Sequence, residues 1–191
     1  MVRSDDLLTL PAGLPEPVDD GAADHLPGMR LPPVALAATA GDRVELAGLR
    51  GRTVVYCYPR TGRPDQELPP GWNEIPGARG CTPQSCGFRD HHAELAARGA
   101  RVFGLSTQET DYQQEVVARL HLPFPLLSDA ELELARALRL PTFVVEGMTL
   151  LRRLTMIVDD GRIAKVFYPV FPPDADAVRV VAWLEEHGGA A

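Results

Sequence analysis

Residues 77–90 read Gly-Ala-Arg-Gly-Cys-Thr-Pro-Gln-Ser-Cys-Gly-Phe-Arg-Asp and contain two of the three cysteines of the chain, Cys81 and Cys86. Thr82 is a suitable N-cap residue, because its side-chain oxygen can accept a hydrogen bond from a backbone N–H of the first turn. Pro83 suits the first position of a helix, where its missing N–H costs nothing. The segment therefore predicts a helix that begins beside Cys81.

A cysteine at a helix start is expected to be reactive. The N-terminal end of a helix carries a partial positive charge, which favours the thiolate form of Cys81. The thiolate is the nucleophilic form of cysteine. The alternative is that both thiols are small buried core groups, but glycine and turn residues flank Cys81 rather than a hydrophobic run. We therefore interpret Cys81 as chemically active.

The composition limits the classes of partner. A chain of 191 residues fits one domain with a sizeable core and an appended segment. A net charge of −7 argues against nucleic acid or an anionic membrane surface as the main partner. No apolar run reaches the ~18 residues of a membrane span. The first residues lack the basic start and apolar core of a signal peptide, so the cytoplasm is the expected compartment.

The cysteine and histidine pattern excludes two common roles. Three cysteines are too few for a disulfide framework in a chain of this length. The sequence has no Cys-x-x-Cys pair and its five histidines are scattered, so we expect no metal site. In the cytoplasm, disulfides are usually transient and serve catalysis or redox sensing.

The domain organisation follows from the proline, glycine and apolar content. Residues 1–28 are interpreted as an N-terminal extension, either flexible or draped on the surface, whose run 7–10 could pack on the domain or on a second subunit. Residues 29–191 form the domain, in which the apolar run 53–58 predicts a strand buried on both faces, with Cys57 as a core thiol. The Pro- and Gly-rich stretch of about 60–80 is a loop insertion, expected to be an ordered lid anchored by its apolar residues Trp72 and Ile75.

The remaining periodicity predicts an alternation of helices and strands. The predicted order is a helix over 84–98, a strand over 101–106, a helix over 109–120, a short strand over 123–127, a helix ending at 138, strands over 142–146, 150–158 and 162–168, and a last helix capped by Asp174 with Val178, Val181 and Leu184 facing inward. The fold class is therefore α/β, with a central mixed sheet flanked by helices.

This order of elements, with a thiol in the first turn of the helix after a buried strand, resembles the thioredoxin-like peroxiredoxins. The closest group is peroxiredoxin Q, also called the bacterioferritin comigratory protein group, and the likeness spans roughly residues 31–184. The matching pieces are, in order, Val54-Val55-Tyr56-Cys57-Tyr58-Pro59, Gly80-Cys81-Thr82 with Cys86 and Phe88-Arg89-Asp90, Gly104-Leu105-Ser106, Phe124-Pro125-Leu126-Leu127-Ser128-Asp129, Arg153-Leu154-Thr155 and Asp160-Gly161-Arg162-Ile163.

The resemblance implies a thioredoxin-like fold and a thiol-dependent peroxidase that reduces hydrogen peroxide or organic hydroperoxides without a cofactor. It implies that Cys81 is the peroxidatic cysteine and Cys86 the resolving cysteine, which form an intramolecular disulfide. A thioredoxin- or glutaredoxin-like protein is the implied reductant, and a monomer or weak homodimer the implied state. Arg153 is the implied peroxide-orienting arginine, since it begins the family's Arg-x-Thr. Strand alternation allows only one of Arg152 and Arg153 to face inward, and we expect Arg153 to do so.

The loop before Cys81 departs from the family pattern Pro-x-x-x-Thr-x-x-Cys. Ala78, which has no hydroxyl, occupies the threonine position. Either Thr61 reaches the site, another loop residue supplies a donor, or no donor is needed. We expect the substrate to contact residues next to the peroxidatic cysteine, namely Arg79, Gly80 and Thr82.

Two other functions remain open from the sequence. A thioredoxin-like disulfide oxidoreductase would use the same fold, but that class carries Cys-x-x-Cys rather than two cysteines five residues apart. A non-enzymatic redox sensor would use a switch between Cys81 and Cys86 to change a partner surface. Peroxide consumption by catalytic amounts of protein separates both from a peroxidase.

Overall fold

The computed structural model describes residues 7–188. The strands are β1 (Ala35–Ala38), β2 (Arg43–Glu45), β3 (Arg52–Cys57), β4 (Ala100–Ser106), β5 (Leu126–Ser128), β6 (Thr142–Val145), β7 (Met148–Leu151), β8 (Leu154–Asp159) and β9 (Arg162–Phe167). The helices are α1 (Cys81–Asp90), α2 (His92–Ala97), α3 (Thr110–Leu120), α4 (Glu133–Leu138) and α5 (Asp176–His187).

Strand β3 is an inner strand of the main sheet, whose order across the described residues is β2-β1-β5-β4-β3-β8-β9. It pairs in parallel with β4 and antiparallel with β8. Residues 53–57 are buried on both faces, as expected for an apolar strand covered by helices above and below the sheet. The prediction of a mixed sheet with a buried strand in this region is therefore confirmed, although the strand covers Arg52–Cys57 and Tyr58 is buried just beyond its end.

One face of the sheet packs against α1, α2, α3 and α5. Phe88, Leu95, Val116 and Leu184 are fully buried side chains of these four helices and belong to one core cluster. The ring of Tyr56 on β3 stacks on Phe88, with ring centroids 4.4 Å apart. This stacking fixes α1, the helix that begins with a cysteine, directly onto an inner strand.

The opposite face of the sheet packs against α4 and the segment before β1. Leu134 and Leu138 of α4 share a core cluster with Cys57 of β3. Ala23 and Leu26 of the N-terminal segment are buried in the same cluster, so residues 23–26 cover part of the sheet, while residues 1–6 of the predicted extension lie outside the described residues. The chain therefore places apolar side chains of its N-terminal segment into the core of the domain.

The loop between β3 and α1 has a small apolar core of its own. Trp72 is 3% exposed and clusters with Ala78 and Leu150, with Ile75 and Phe143 packed around them. Leu150 and Phe143 come from the β6–β7 hairpin, which forms a separate two-stranded sheet. The loop is thus ordered and anchored by Trp72 and Ile75, as the sequence predicts.

Two predicted elements are each divided in the structure. The single helix over 84–98 is wrong, because His91 (φ −97°, ψ 8°) leaves the helical conformation and separates α1 from α2. The single strand over 150–158 is also wrong, because Arg152 and Arg153 interrupt it between β7 and β8. The backbone N–H of Arg152 instead donates to the carbonyl of Pro141 at 2.8 Å.

The inward face of the last helix differs from the prediction. Helix α5 begins at Asp176 after a short 3-10 turn over 173–175, and no side chain caps it, so Asp174 is not its cap. Ala177, Val181 and Leu184 are buried at helical spacing, whereas Val178 is 51% exposed. Val178 was therefore wrongly predicted to face inward, because the true stripe begins one residue earlier.

The burial of Cys57 predicts its effect on stability. Burial raises the pKa of the Cys57 thiol well above its usual range, so the group stays a neutral core residue. Cys57→Ser places a hydroxyl in a core cluster of apolar side chains, which offer it no hydrogen-bond partner. We therefore expect the free energy of unfolding to fall by about 1–3 kcal/mol. Urea denaturation under reducing conditions measures the change.

Cys86→Ser is the matched control for this substitution, because the Cys86 side chain is only partly buried. We expect it to lower the free energy of unfolding by less than about 1 kcal/mol. Equal losses for the two variants would contradict the assignment of Cys57 to the core.

Candidate active site

Cys81 is the first residue of α1 and is 3% exposed. The N-cap residue is Gly80, and no side chain caps the helix. Thr82 and Pro83 were predicted as N-cap and first helical residue, and both assignments are wrong, since they occupy the second and third positions of the helix. Pro83 still lies within the first turn, where its missing N–H breaks no intrahelical bond.

Gly80 makes the turn into α1 possible in two ways. Its φ of +104° lies in the left-handed region, which residues other than glycine rarely adopt. A Cβ at this position would lie 2.3 Å from Cγ of Pro173 and 2.7 Å from Cδ2 of Leu10. The backbone before Cys81 is therefore tightly enclosed by the turn before α5 and by the N-terminal segment.

The guanidinium of Arg153 lies against the Cys81 sulfur. Arg153 is 3% exposed, and its Nη2 donates to Sγ of Cys81 at 3.3 Å. The same nitrogen lies within 3.2 Å of the carbonyl oxygens of Gly77, Ala78 and Arg79. A cation at this distance favours the thiolate form of the sulfur, and it can also stabilise negative charge that develops on a neighbouring oxygen.

Arg152 points away from this centre. Its side chain is half-buried and lies over the Phe143 ring, with 5.7 Å between Cζ and the ring centroid. The structure therefore places Arg153 inward and Arg152 outward, as expected. The separation arises at the break between β7 and β8 and not within one continuous strand.

Ala78 contributes its backbone to the site. The Ala78 carbonyl accepts from Arg153, and the Cys81 thiol lies 3.7 Å from the same oxygen. Thr61, the other candidate for a hydroxyl donor, uses its Oγ1 in a 3.0 Å bond to Oε1 of Gln108 and is fully buried. Its hydroxyl is therefore engaged with Gln108 rather than with Cys81.

A small cavity lies over Cys81. Its volume of about 10 Å³ is close to that needed for one water molecule. The three residues expected to contact substrate all line it: Arg79, Gly80 and Thr82. The rest of the lining comes from the loop and the N-terminal segment, namely Leu7, Arg60, Gly62, Leu68 and Trp72.

Cys86 lies in the same helix as Cys81, five residues further along. It is partly buried, and burial raises the pKa of its thiol, although the charge of Arg89 opposes this shift. Both cysteines are free thiols. In the continuous helix α1 they are separated by more than one turn, so the structure describes the reduced, folded form of the site.

The site contains two buried polar residues that sequence reasoning missed. The side-chain carbonyl of Gln84 accepts a hydrogen bond from Nη1 of Arg153. Nε2 of Gln84 donates to the Asp176 carboxylate at 2.7 Å, and Oγ1 of Thr155 donates to the same oxygen at 2.7 Å. The only feature of the sequence that could have indicated a role for Gln84 is its polar side chain three positions after Cys81, on the inner face of α1. Asp176 read as an ordinary acidic residue near a helix start.

No three His, Cys, Asp or Glu side chains of residues 7–188 come together in a group that could hold a metal ion. None of the helices in this range is both long and apolar enough to span a membrane.

Comparisons with known proteins agree with this site. Residues 26–181 match the redoxin family. Peroxiredoxin Bcp of Escherichia coli (strain K12) is 29% identical over 161 residues, which cover 82% of this chain and 93% of that protein. A Mycobacterium tuberculosis (strain H37Rv) protein named as a peroxiredoxin is 32% identical over 152 residues, covering 75% of this chain and 85% of the relative.

A solved structure supports the fold assignment. The crystal structure of peroxidoxin BcpB from Mycobacterium tuberculosis has a TM-score of 0.67 at 26% identity and covers 85% of this chain and 98% of that chain. The likeness confirms the thioredoxin-like α/β fold. With the match over residues 26–181 and the arginine beside a helix-start cysteine, these findings show that the chain belongs to the redoxin family and, within it, to the peroxiredoxins of the Bcp and peroxiredoxin Q group.

Proposed function

We propose that this peroxiredoxin reduces peroxides with Cys81 as the peroxidatic cysteine, Cys86 as the resolving cysteine and Arg153 as the residue that activates the thiolate and orients the peroxide. The observation that carries the proposal is the 3.3 Å contact between Nη2 of Arg153 and Sγ of Cys81, beside a small cavity that Cys81 helps to line. A cavity of this size is close to that needed for one water molecule, so hydrogen peroxide and larger hydroperoxides both require the loop or the N-terminal segment to move.

In the first step, the Cys81 thiolate attacks one oxygen of the peroxide. A sulfur–oxygen bond forms, the O–O bond breaks, and the leaving oxygen departs as water or an alcohol after it takes up a proton. The sulfur is oxidised to a sulfenic acid. Arg153 holds positive charge beside both the thiolate and the leaving oxygen, so it stabilises the negative charge at each position.

In the second step, the Cys86 thiol attacks the sulfenic sulfur, a disulfide forms and water leaves. Residues five apart in an ideal helix have Cα atoms about 8.7 Å apart. A disulfide needs roughly 4.4–6.8 Å between Cα atoms. Helix α1 must therefore unwind between Cys81 and Cys86 before the bond can form.

The glycine next to Cys86 is consistent with a helix that opens. Gly87 lowers the stability of α1 by about 1 kcal/mol relative to alanine. Its missing side chain also permits close packing, since a Cβ there would lie 3.3 Å from the carbonyl oxygen of Asp174. The segment thus combines tight packing in the reduced form with a weak intrinsic helix.

The reductant that closes the cycle must supply two electrons to the disulfide. A dithiol protein of the thioredoxin or glutaredoxin kind does this by thiol–disulfide exchange. We propose a reductant of this kind for this chain. We also propose that the protein is cytoplasmic, where such disulfides are reduced, and that it is a monomer or a weak homodimer.

Substitution of each cysteine separates their roles. With hydrogen peroxide and a thioredoxin system, Cys81→Ser should show no peroxide consumption, because the nucleophile is missing. Without reductant, Cys86→Ser should consume one equivalent of hydrogen peroxide and stop as a Cys81 sulfenic acid, which mass spectrometry detects. Excess peroxide should then over-oxidise this sulfenic acid. Full turnover by Cys81→Ser would end the assignment.

Substitution of the two adjacent arginines tests the proposed role of Arg153. Arg153→Ala should slow the oxidation of Cys81 by about 100-fold, as for the loss of one preorganised donor at a reacting oxygen. Arg152→Ala is the matched control, because its guanidinium lies over Phe143, and should change the rate less than twofold. Stopped-flow measurement of the first oxidation decides, and a slow Arg152 variant beside a normal Arg153 variant contradicts the proposal.

Hydrogen exchange tests the unwinding of α1. In the oxidised protein, with the disulfide verified by mass, we expect amides of residues 82–90 to exchange faster than in the reduced protein, because their helical hydrogen bonds are broken. Helix α3 is the internal control and should keep its protection. Equal protection of residues 82–90 in both forms would mean that the disulfide forms by another route.

A further inference from the structure

A buried carboxylate lies behind the proposed catalytic arginine, separated from it by one amide group. Asp176, the first residue of α5, is 0% exposed. One of its oxygens accepts two 2.7 Å hydrogen bonds, from Nε2 of Gln84 and from Oγ1 of Thr155. The carbonyl end of the Gln84 amide accepts from Nη1 of Arg153, whose Nη2 contacts the Cys81 sulfur.

The direction of the Gln84 amide is fixed by its two neighbours. A guanidinium can only donate hydrogen bonds, and an ionised carboxylate can only accept them. The amide carbonyl must therefore face Arg153 and the amide NH₂ must face Asp176. If the amide were reversed, two sets of donors would meet at Arg153 and two sets of acceptors at Asp176.

We propose that Asp176 is a positioning residue for the oxidation of Cys81, which holds the Gln84 amide in the orientation that keeps the Arg153 guanidinium against the sulfur. The proposal rests on the proposed function of Cys81 and Arg153. Asp176 does not line the cavity over Cys81, and its effect passes through its hydrogen bond with Gln84.

The free-energy cost of burying the Asp176 carboxylate indicates that this residue has a role beyond stabilising the fold. Burial raises the pKa of the Asp176 carboxyl, while the hydrogen bonds from Thr155 and Gln84 and the charges of Arg153 and Arg179 oppose the shift. Its second oxygen, Oδ1, has no hydrogen-bond partner within residues 7–188. A well-packed apolar side chain usually stabilises such a site as well as a buried charge does. The carboxylate is therefore better explained by the acceptor it presents to Gln84.

The link through an amide also suits the chemistry. A carboxylate bonded directly to Arg153 would neutralise the charge that acts on Cys81 and would occupy the guanidinium more strongly. With Gln84 between them, the guanidinium is oriented and its Nη2 remains directed at the sulfur. The positive charge of Arg153 is thus held beside Cys81 without a direct ion pair to a carboxylate.

Rate constants for Cys81 oxidation test the route of the effect. Asp176→Ala should slow oxidation by hydrogen peroxide about tenfold or more, since small misplacements of a catalytic group cost up to about 100-fold. Gln84→Ala should slow it comparably. The double variant should be no slower than Gln84→Ala, because Asp176 acts through Gln84. Multiplied effects in the double variant, or an unchanged rate in Asp176→Ala, would overturn the proposal.

The pH dependence of Cys81 alkylation gives a readout that needs no peroxide. In the Cys86→Ser background, loss of a buried negative charge alone would favour the Cys81 thiolate and move the alkylation midpoint to lower pH. Displacement of Arg153 moves it to higher pH. We expect the Asp176→Ala midpoint to move to higher pH, and a move to lower pH or no move overturns the proposal. Failure of wild-type protein to react with peroxide would reject the proposed function and leave this measurement intact.

Two further variants separate positioning from folding. Thr155→Val removes the other 2.7 Å bond to the same Asp176 oxygen, and it should lower stability while slowing oxidation less than twofold. If Asp176→Ala does not fold, Asp176→Asn decides: its amide oxygen is a weaker acceptor for Gln84, and oxidation should slow about threefold or more. A wild-type rate in a folded Asp176→Asn variant overturns the proposal.

Discussion

A buried cation beside a buried sulfur is the contact on which the rest of the site depends. Arg153 can lie in this place only because oxygen atoms surround its guanidinium, and the chain supplies them from three successive carbonyls, residues 77–79. Those carbonyls converge because the chain turns sharply at Gly80 into α1. The same turn sets the position of Cys81. The loop end, the glycine and the helix start are therefore parts of one solution to the cost of burying a charge.

The residues that carry the proposed chemistry were largely predictable from local sequence, because their signals are local. Cys81 follows glycine and opens a helix, and residues 53–58 form an uninterrupted apolar run that became an inner strand. Only the family's Arg-x-Thr distinguishes Arg153 from Arg152. Strand alternation does not apply to the two arginines, because β7 ends before them and β8 begins after them.

What could not be predicted depends on distant parts of the chain. Thr82 has the right side chain for an N-cap, but the N-cap lies two residues earlier, at Gly80, where Pro173 and Leu10 leave no room for a side chain. Asp176 gains its role only when α5 packs on α1, which brings it to Gln84 across 92 residues of sequence. The prediction that Val178 faces inward is wrong because the buried stripe of α5 begins one residue earlier, at Ala177, where the helix packs on the domain. Local propensity contains none of these packing relations.

Helix α1 is held firmly in the reduced form by contacts on two sides. Tyr56 of β3 donates to Ser85 at 3.1 Å and stacks on Phe88, while Gln84 bonds to α5. The proposed first step needs this arrangement, since it fixes the sulfur beside Arg153. The proposed second step requires most of these contacts to be given up. The balance between them sets how long a sulfenic acid at Cys81 waits for its partner.

The fully buried thiol of Cys57 has a practical consequence for following that balance. It lies on an inner strand at 0% exposure, away from the helix that must open. A thiol reagent reaches Cys57 only when the main sheet separates, whereas Cys86, already partly exposed, becomes fully accessible when α1 alone unwinds. One labelling experiment on the natural chain can therefore count two kinds of opening at once. The labelling rate of Cys57 reports global unfolding. Comparison of the labelling rate of Cys86 with that rate measures local opening of the active-site helix.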